Sequence, residues 1–360
     1  MLGQRITEIK RLASDENYKE LEKLLLSKNL PQGEWASGLT SSSPLSVFAR
    51  LLAIKSSSGV SKLENYKELL VALDGDRIFT EKFNFKLFFE DLLLEMRKVF
   101  SKQGGEDEVE PIISPLNRIF SEIRKSEFYD CTPPFIITLF FLNFKINHFN
   151  QSKIMMNILG DLRQQTLTIS SKKNKILLNY YFARMSIMEG QFEMTEKYLD
   201  DALLLNPSRN QKRKLLELLI PIKLIFGKLP GKDLLASRRL AYFAEILTAV
   251  KAGNLHDLET ALQTHLVSLL NKGIYFLLCD AKQFCQRNLL QKGWLLLEKP
   301  SVLSLEELRT ILEFGAKKKL NDNEVISQVS GLIYKRFLSG TIRLESKELA
   351  LKSNPFPSLT

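Results

Sequence analysis

The segment YYFARMSIMEGQFEMTEKYLDDALLLNP, residues 180–207, has the pattern of two antiparallel helices joined by a tight turn. Small and aromatic residues fall where the two helices must touch, Gly190 interrupts the helical pattern, and Pro207 ends the second helix. A hairpin of this kind buries its apolar face only against the hairpins before and after it. The segment therefore predicts one repeat of a stack of helical hairpins.

The same pattern extends over most of the 360 residues. Leucine, lysine and glutamate recur at helical spacing, while glycine and proline are scarce and concentrate at turns. Helices are predicted at 3–27, after Pro44, and at 83–100, 112–125, 134–147, 175–189, 192–205, 211–226, 232–251, 255–270 and 274–290, with loops at 31–43, 56–59 and 103–110. Turns between the later helices recur at intervals of about 15 to 25 residues, which is typical of an α-solenoid.

The chain changes character from residue 301 onward. Ser304 and Glu307 form a capping-box pattern for one helix, and Asn321 or Asp322 begins a second helix. Residues 341–345 and 348–352 then alternate as two short strands around a tight turn, and helix, helix and β-hairpin in this order describe a winged helix. We therefore predict an all-α fold, a right-handed α-solenoid of TPR-like hairpins that ends in a winged helix. The predicted domains are N-terminal helical repeats at 1–170, further helical repeats at 171–300 and the winged helix at 301–360.

The positive charge is concentrated rather than spread evenly. The formal net charge is +10, and residues 171–239 alone carry 14 Lys and Arg against 7 Asp and Glu. Two clusters stand at the starts of consecutive hairpins: Lys172, Lys173, Lys175, Arg209, Lys212, Arg213 and Lys214. Because alternate turns of an up-down solenoid lie on the same edge, we expect these residues to share an edge that attracts an acidic chain or RNA. The alternative is that they are solvated lysines and arginines at helix ends.

A second basic set lies on the winged helix. Its members are Lys317, Lys318, Lys319, Lys335, Arg336, Arg343 and Lys347. The second helix of a winged helix can enter a nucleic-acid groove while the wing contacts phosphates, so these residues are candidate nucleic-acid ligands. However, that helix begins Asn321-Asp322-Asn323-Glu324, and its acidic residues disfavour a reader of B-DNA bases. Pairing with another winged helix, or phosphate contacts without sequence preference, are both consistent with the pattern.

The sequence contains no arrangement of catalytic or metal-binding residues. His148, His256 and His265 are scattered, and none has metal-ligand spacing to Cys279 or Cys285. Phosphate-binding glycine loops and a nucleophile elbow are absent as well. We therefore expect no enzyme, no cofactor and no metal site.

Two observations bear on compartment. The three widely spaced cysteines predict a reducing compartment rather than a disulfide framework. The most apolar run, residues 135–144, is too short to span a bilayer. We expect a soluble intracellular protein with no membrane partner.

The aromatic run at the start of the 180–207 segment has two possible roles. Tyr180, Tyr181 and Phe182 could stack on bases, but their place within an apolar hairpin favours core packing. Arg184 is then expected to be a structural arginine that binds helix carbonyls.

Short pieces of the second half of the chain occur in an order that resembles a known family. They are Tyr180-Tyr181 with Arg184; Lys212-Arg213, Leu219-Ile220-Pro221-Ile222, Gly227 and Pro230; Ala249-Val250, Gly253-Asn254 and His265; Gly273-Ile274-Tyr275 and Arg287-Asn288-Leu289; Glu324-Val325, Leu332-Ile333-Tyr334 and Gly340; and Lys352-Ser353-Asn354-Pro355-Phe356-Pro357. Residues 179–357 thereby resemble the PCI domain shared by the proteasome lid, the COP-nine signalosome and initiation factor three. More narrowly, they resemble the PCI subunit of the TREX-two transcription-and-export complex, in the family related to signalosome subunit twelve. Arg336 stands where this family tends to have glycine.

The resemblance implies a non-catalytic scaffold or adaptor subunit of the TREX-two complex. It implies pairing of the winged helix with that of the large export scaffold subunit (Sac-three or GANP type). It also implies a small acidic, disordered subunit (Sem-one or DSS-one type) along the helical repeats. The paired winged helices would present a basic surface to RNA or DNA for messenger export. The resemblance implies a location in the nucleus at the nuclear pore, and it is also compatible with a cytoplasmic location. The alternative is a PCI scaffold subunit of the signalosome, the proteasome lid or initiation factor three.

Overall fold

The computed structural model describes residues 86–357 apart from 103–104, 126–128, 161, 231–239 and 241, together with Arg11 and Tyr66. The helices predicted at 3–27 and after Pro44, and the loops at 31–43 and 56–59, lie outside the described residues. The chain divides into two compact units, Met1–Met185 and Ser186–Thr360. The domain boundaries predicted at residues 170 and 300 stay a prediction.

The described part of the first unit is built from helices. They are α1 (Lys86–Lys102), α2 (Glu106–Lys125), a 3-10 turn (Tyr129–Cys131), α3 (Thr132–Lys145), α4 (Phe149–Leu159), α5 (Leu162–Ile169) and α6 (Lys172–Met188), whose last residues are assigned to the second unit. Helix α3 packs against α1, α2 and α4, and it is apolar almost all round, as expected for a central helix.

The prediction of a loop at 103–110 is wrong from residue 106 onward. Helix α2 already begins at Glu106, with Glu106, Asp107 and Glu108 in its first turn. Carboxylates are favourable there because they oppose the positive end of the helix dipole, and the Glu108 side chain accepts a 3.0 Å hydrogen bond from the Gly105 N–H. The acidic run that predicts a loop is therefore a helix start.

The second unit contains helical hairpins followed by a winged helix. Its elements are α7 (Phe192–Leu204), α8 (Arg209–Ile225), α9 (Tyr242–Ala252), α10 (Leu255–Thr264), α11 (Leu266–Asn271), α12 (Tyr275–Leu296), β1 (Val302–Ser304), α13 (Leu305–Ala316), α14 (Asp322–Tyr334), β2 (Gly340–Arg343) and β3 (Glu348–Leu351). The strands form one antiparallel sheet in the order β1-β3-β2. The predicted fold class, helical hairpins that end in a winged helix with a small β-hairpin, is confirmed. Strand β1 is an addition that the sequence pattern does not predict.

Three glycines allow close packing around helix α12, two of them where α12 meets the first helix of the winged helix. A Cβ on Gly253, which has φ +74°, would lie 2.7 Å from the Leu289 backbone nitrogen. A Cβ on Gly293 would lie 2.8 Å from Ile311 Cγ1, and one on Gly315 would overlap the Leu289 side chain. Helix α12 runs on to Leu296, so Gly293 marks a close approach of α12 to α13 rather than a helix end.

The helix predicted at 255–270 is two helices. Helix α10 ends and α11 begins at His265, whose backbone leaves helical geometry (φ −102°, ψ 9°). Its imidazole Nε2 lies 3.4 Å from the Glu245 carboxylate, so the break places the ring beside α9.

Three helices of the second unit begin with reciprocal caps. Helices α8, α13 and α14 each have a capping box, formed in order by Ser208 with Gln211, Ser304 with Glu307, and Asn321 with Glu324. Within the described ranges, no helix is both long and apolar enough to cross a membrane.

Candidate nucleic-acid and partner interfaces

The aromatic residues that open the 180–207 segment lie in the core of the first unit. Tyr181 and Phe182 are buried. The Phe140 ring stacks on Tyr181 at 5.8 Å and meets Phe182 edge-on at 6.1 Å. Burial raises the pKa of the Tyr181 hydroxyl above its ordinary range. The prediction of core packing is confirmed for these two rings.

Arg184 has a structural role with partners that the sequence does not suggest. Its guanidinium lies 4.0 Å from the centre of the Phe144 ring and 6.0 Å from that of Tyr180. Aromatic faces, rather than helix carbonyls, therefore interact with this charge.

The first predicted partner-binding residues lie at the start of α6, in the first unit. Lys172 and Lys173 are exposed and Lys175 is half-buried. Between them, the buried Asn174 amide donates a 2.7 Å hydrogen bond to Glu90. Cations in the first turn add to the positive end of the helix dipole, so this helix end attracts anions.

The other four predicted partner-binding residues lie on the first half of α8, in the second unit. Arg209 and Lys214 are exposed, while Lys212 and Arg213 are half-buried. Arg213 lies 3.9 Å from Glu217, and Lys272 approaches the same carboxylate at 3.3 Å. Arg213 is therefore partly neutralised within the chain. Because the α6 and α8 clusters belong to different units, their shared edge stays a prediction.

The seven predicted nucleic-acid ligands lie at three places on the winged helix. The first place is the turn between α13 and α14, which holds Lys317, Lys318 and Lys319. Lys317 has a left-handed backbone (φ 52°) and its ammonium lies 3.8 Å from Asp257. Lys318 and Lys319 are exposed and have no ion-pair partner in the described part of the chain.

The second place is the wing. Arg343 and Lys347 line a pocket of about 260 Å³ between α14 and the β2–β3 hairpin, whose walls include Ile326 and Leu349. The Lys347 ammonium lies 3.1 Å from Asp322, which also pairs with Arg309. The hydrogen bond from Lys347 lowers the pKa of Asp322. Lys347 is therefore engaged within the domain.

The third place is a groove of about 670 Å³, which we call the basic groove. It lies between the end of α8, the segment that follows α14, and the end of β3. Its charged lining residues are Lys335, Arg336 and Lys352, and no carboxylate lines it. Over the described residues, none of these three cations has an ion-pair partner. Ile225 and Phe226 supply apolar surface.

Sequence reasoning missed Lys352 as a site residue. Lys352 follows β3 and is more than a dozen residues from Lys335 in the sequence. The antiparallel pairing of β2 with β3 brings its backbone to Ser339, where its N–H donates a 3.1 Å hydrogen bond to the Ser339 carbonyl. The signal that could have found it is the end of the predicted β-hairpin, because paired strands return the chain to where the hairpin began.

Arg336 combines charge with backbone strain. Its φ is 60°, in the left-handed region where an L-residue with a long side chain costs about 1–2 kcal/mol relative to glycine. This conformation explains physically why a glycine suits the position. In this chain the strained position instead places a guanidinium in the basic groove.

Large apolar side chains are exposed on the same winged helix. Phe314 on α13 is 82% exposed, Tyr334 at the end of α14 is 88% exposed, and Leu344 in the wing is 66% exposed. Exposed apolar side chains indicate a binding surface where they adjoin other apolar surface, as Leu344 does at the pocket of the wing.

His265 lies at a contact between helices of the second unit. His265 stands beside Glu245 and Tyr242, with its ring 6.1 Å from the tyrosine ring. Across the residues that the structure covers, no group of three or more His, Cys, Asp or Glu side chains could hold a metal ion.

Comparison with known proteins gives relatives over part of the chain. No family model matches the chain. It is 31% identical to PCI domain-containing protein 2 of Xenopus laevis, over 62% of this chain and 56% of the relative. It is 28% identical to Enhanced ethylene response protein 5 of Arabidopsis thaliana, over 61% of this chain and 55% of that relative. It is 27% identical to Protein CSN12 homolog of Neurospora crassa, over 67% of this chain and 59% of that relative. The match thus spans little more than half the length of these relatives.

Helical hairpins that continue into a winged helix are the architecture of the PCI domain. Together with these relatives, the fold confirms the predicted resemblance: the chain is similar to the PCI domain-containing protein 2 proteins. A relative with a signalosome-subunit-twelve-type name is among its matches.

Proposed function

We propose that this protein is a non-catalytic scaffold subunit of a TREX-two-type complex. It pairs through its winged helix with that of the large export scaffold subunit and holds the small acidic, disordered subunit. Together these surfaces offer a basic face to nucleic acid in messenger export at the nuclear pore.

The observation that carries the proposal is the exposed apolar surface of the winged helix. Leu344 stands two-thirds exposed at the wing, beside the 260 Å³ pocket whose apolar walls include Ile326, Val329 and Ile342. An apolar side chain of a partner would fill this pocket. Burying Leu344 under that partner would contribute about 1.5–3 kcal/mol to the free energy of binding. This arrangement supports a pairing surface on the winged helix.

Affinity purification of the tagged full chain with a Leu344→Asp variant tests the proposal. We expect recovery of the large scaffold subunit to fall at least about tenfold, because the variant loses an apolar contact and buries a charge. The matched control is Leu204→Asp on α7, where the leucine is 79% exposed and lies outside the winged helix. It should leave recovery unchanged. Equal losses in both variants would refute a pairing surface at the wing.

The same purification decides between complexes. The relative named Protein CSN12 homolog favours a signalosome scaffold as the second candidate. Recovery of signalosome, lid or initiation-factor subunits without the export scaffold would replace the proposal. Imaging of the tagged chain in living cells tests the site of action, since the proposal expects a rim of signal at nuclear pores.

A further inference from the structure

We propose that the basic groove binds single-stranded RNA, with phosphates on Lys335, Arg336 and Lys352 and a base stacked on Tyr334 at its rim. The inference rests on the proposed function, which it refines by naming the part of the winged helix that contacts RNA and the form of RNA that is bound.

The groove has the charge of a phosphate site. Its three cations face one open space of about 670 Å³ and no acidic residue lines it. By contrast, Lys317 and Lys347 each have an acidic neighbour within 4 Å. The basic groove therefore gathers three unpaired cations around one space, whereas the turn between α13 and α14 presents two, Lys318 and Lys319, as far as the described residues extend.

Flat aromatic surface lies beside these charges. Tyr334 is 88% exposed and stands between Ile333 and Lys335, both of which line the groove. Phe226 in the wall is half-buried, with the Lys228 ammonium 5.8 Å from its ring centre. Exposed aromatic rings interleaved with cations suit an unpaired strand, because every base offers a face for stacking.

The geometry disfavours a duplex. A winged helix reads duplex DNA with the start of its second helix, but α14 begins with Asp322 and Glu324 and its N-terminus is closed by a cap. The groove lies at the opposite, C-terminal end of α14. Phosphates of a single strand can follow this end without meeting the acidic first turn.

The groove also disfavours an extended acidic peptide. The Ser339 N–H is bonded to the Pro355 carbonyl at 2.8 Å, and the Lys352 N–H is bonded to Ser339. These two backbone donors are therefore not open to a peptide strand. Side-chain cations remain as donors, and they match the repeated charges of a nucleic-acid backbone.

The test is fluorescence anisotropy of a labelled uridine ten-mer with the full chain, between 50 and 200 mM salt. Three phosphate contacts predict a slope of about −2 in log affinity against log salt, or roughly 20-fold weaker binding across this range. Replacing all three groove cations by glutamine should abolish both binding and slope. Tyr334→Ala should weaken binding at least about fivefold, whereas Tyr334→Phe should not.

Matched variants separate contact from folding. Arg336→Gly relieves the left-handed strain, so it should raise the thermal midpoint while it weakens RNA binding, and Arg336→Lys should restore part of the binding. Phe314→Ala removes an equally exposed ring, and Lys197→Gln with Lys299→Gln removes exposed charges of the second unit outside the groove lining. These controls should bind RNA normally.

Several outcomes would overturn the inference. They are unchanged binding after loss of the three cations, tighter binding of a duplex of equal length, or displacement of RNA from the groove by an acidic peptide. The same variants are scored for recovery of the scaffold subunit. If the groove variants still recover the scaffold subunit and bind RNA as well as the unmodified chain does, this inference fails and the proposed function stands. If the unmodified chain recovers no export scaffold, the proposed function fails.

Discussion

Gly253→Ala tests the close approach of the turn between α9 and α10 to helix α12. Two costs add at this position. A non-glycine residue at φ +74° costs about 1–2 kcal/mol. The new methyl group would also lie 2.7 Å and 2.8 Å from the nitrogen and Cα of Leu289, and overpacking against backbone that cannot rotate away costs about 1–3 kcal/mol. We therefore expect a loss of about 2–5 kcal/mol in the free energy of unfolding.

Gly190→Ala and Gly273→Ala are the matched controls. Both glycines have φ +70°, and a Cβ on either would meet no atom within 4 Å. They carry the conformational cost alone, about 1–2 kcal/mol. The difference between Gly253→Ala and these controls isolates the close approach, and we expect it to be about 1–3 kcal/mol.

Equilibrium unfolding in guanidinium chloride measures all three variants. Trp294 is a local probe of the second unit, because its ring lies 5.6 Å from Phe356 and its indole N–H donates to the Pro300 carbonyl at 3.0 Å. The only other tryptophan, Trp35, is replaced by phenylalanine so that the signal comes from Trp294. If Gly253→Ala costs no more than either control, the packing of Gly253 on Leu289 is refuted.

Two further predictions concern buried groups of α12. Arg287→Met should cost about 1–3 kcal/mol and shift Trp294 emission to the red, because the Arg287 guanidinium holds the Pro357 carbonyl at 2.9 Å; an unshifted spectrum would show that the C-terminal segment is held by other contacts. Burial raises the pKa of the Cys285 thiol to about 12, so Ellman's reagent at pH 8 should label the half-exposed Cys279 and leave native Cys285 unlabelled. Between about pH 9 and pH 12 the Cys285 thiol is ionised in the unfolded chain and still protonated in the folded one. The free energy of unfolding should therefore fall with pH more steeply than in Cys285→Ala, by about 1.4 kcal/mol per pH unit. Equal slopes in the two proteins would contradict this.

Local chemistry in the sequence predicts much of the winged helix. Ser304 with Glu307 and Asn321 with Glu324 form the caps that the spacing indicates, because a capping box needs only residues three apart. The β-hairpin follows from alternation, for the same local reason. Strand β1 does not, since three residues show no period and its partner β3 lies more than forty residues later.

Features that depend on tertiary contacts are the ones that sequence reasoning misses or misassigns. A glycine soon after the predicted helix at 274–290 indicates a helix end, but Gly293 lies within α12 and packs closely against Ile311. The candidate nucleic-acid ligands form one set in the sequence, whereas the fold pairs Lys317 with Asp257 and Lys347 with Asp322. Lys352 enters the basic groove only because strand pairing returns the chain there.

The capping boxes of α8, α13 and α14 have a consequence for regulation. At these helix starts a side chain of the protein already accepts the backbone N–H bond that an anion would otherwise take. Around these three helix starts, affinity for polyanions therefore depends on ammonium and guanidinium side chains, and an acetyltransferase can remove the charge of the lysines among them. Acetylation of Lys335 and Lys352 would leave every cap and helix intact and leave Arg336 as the remaining charge of the groove, so a cell could weaken the surface without unfolding it.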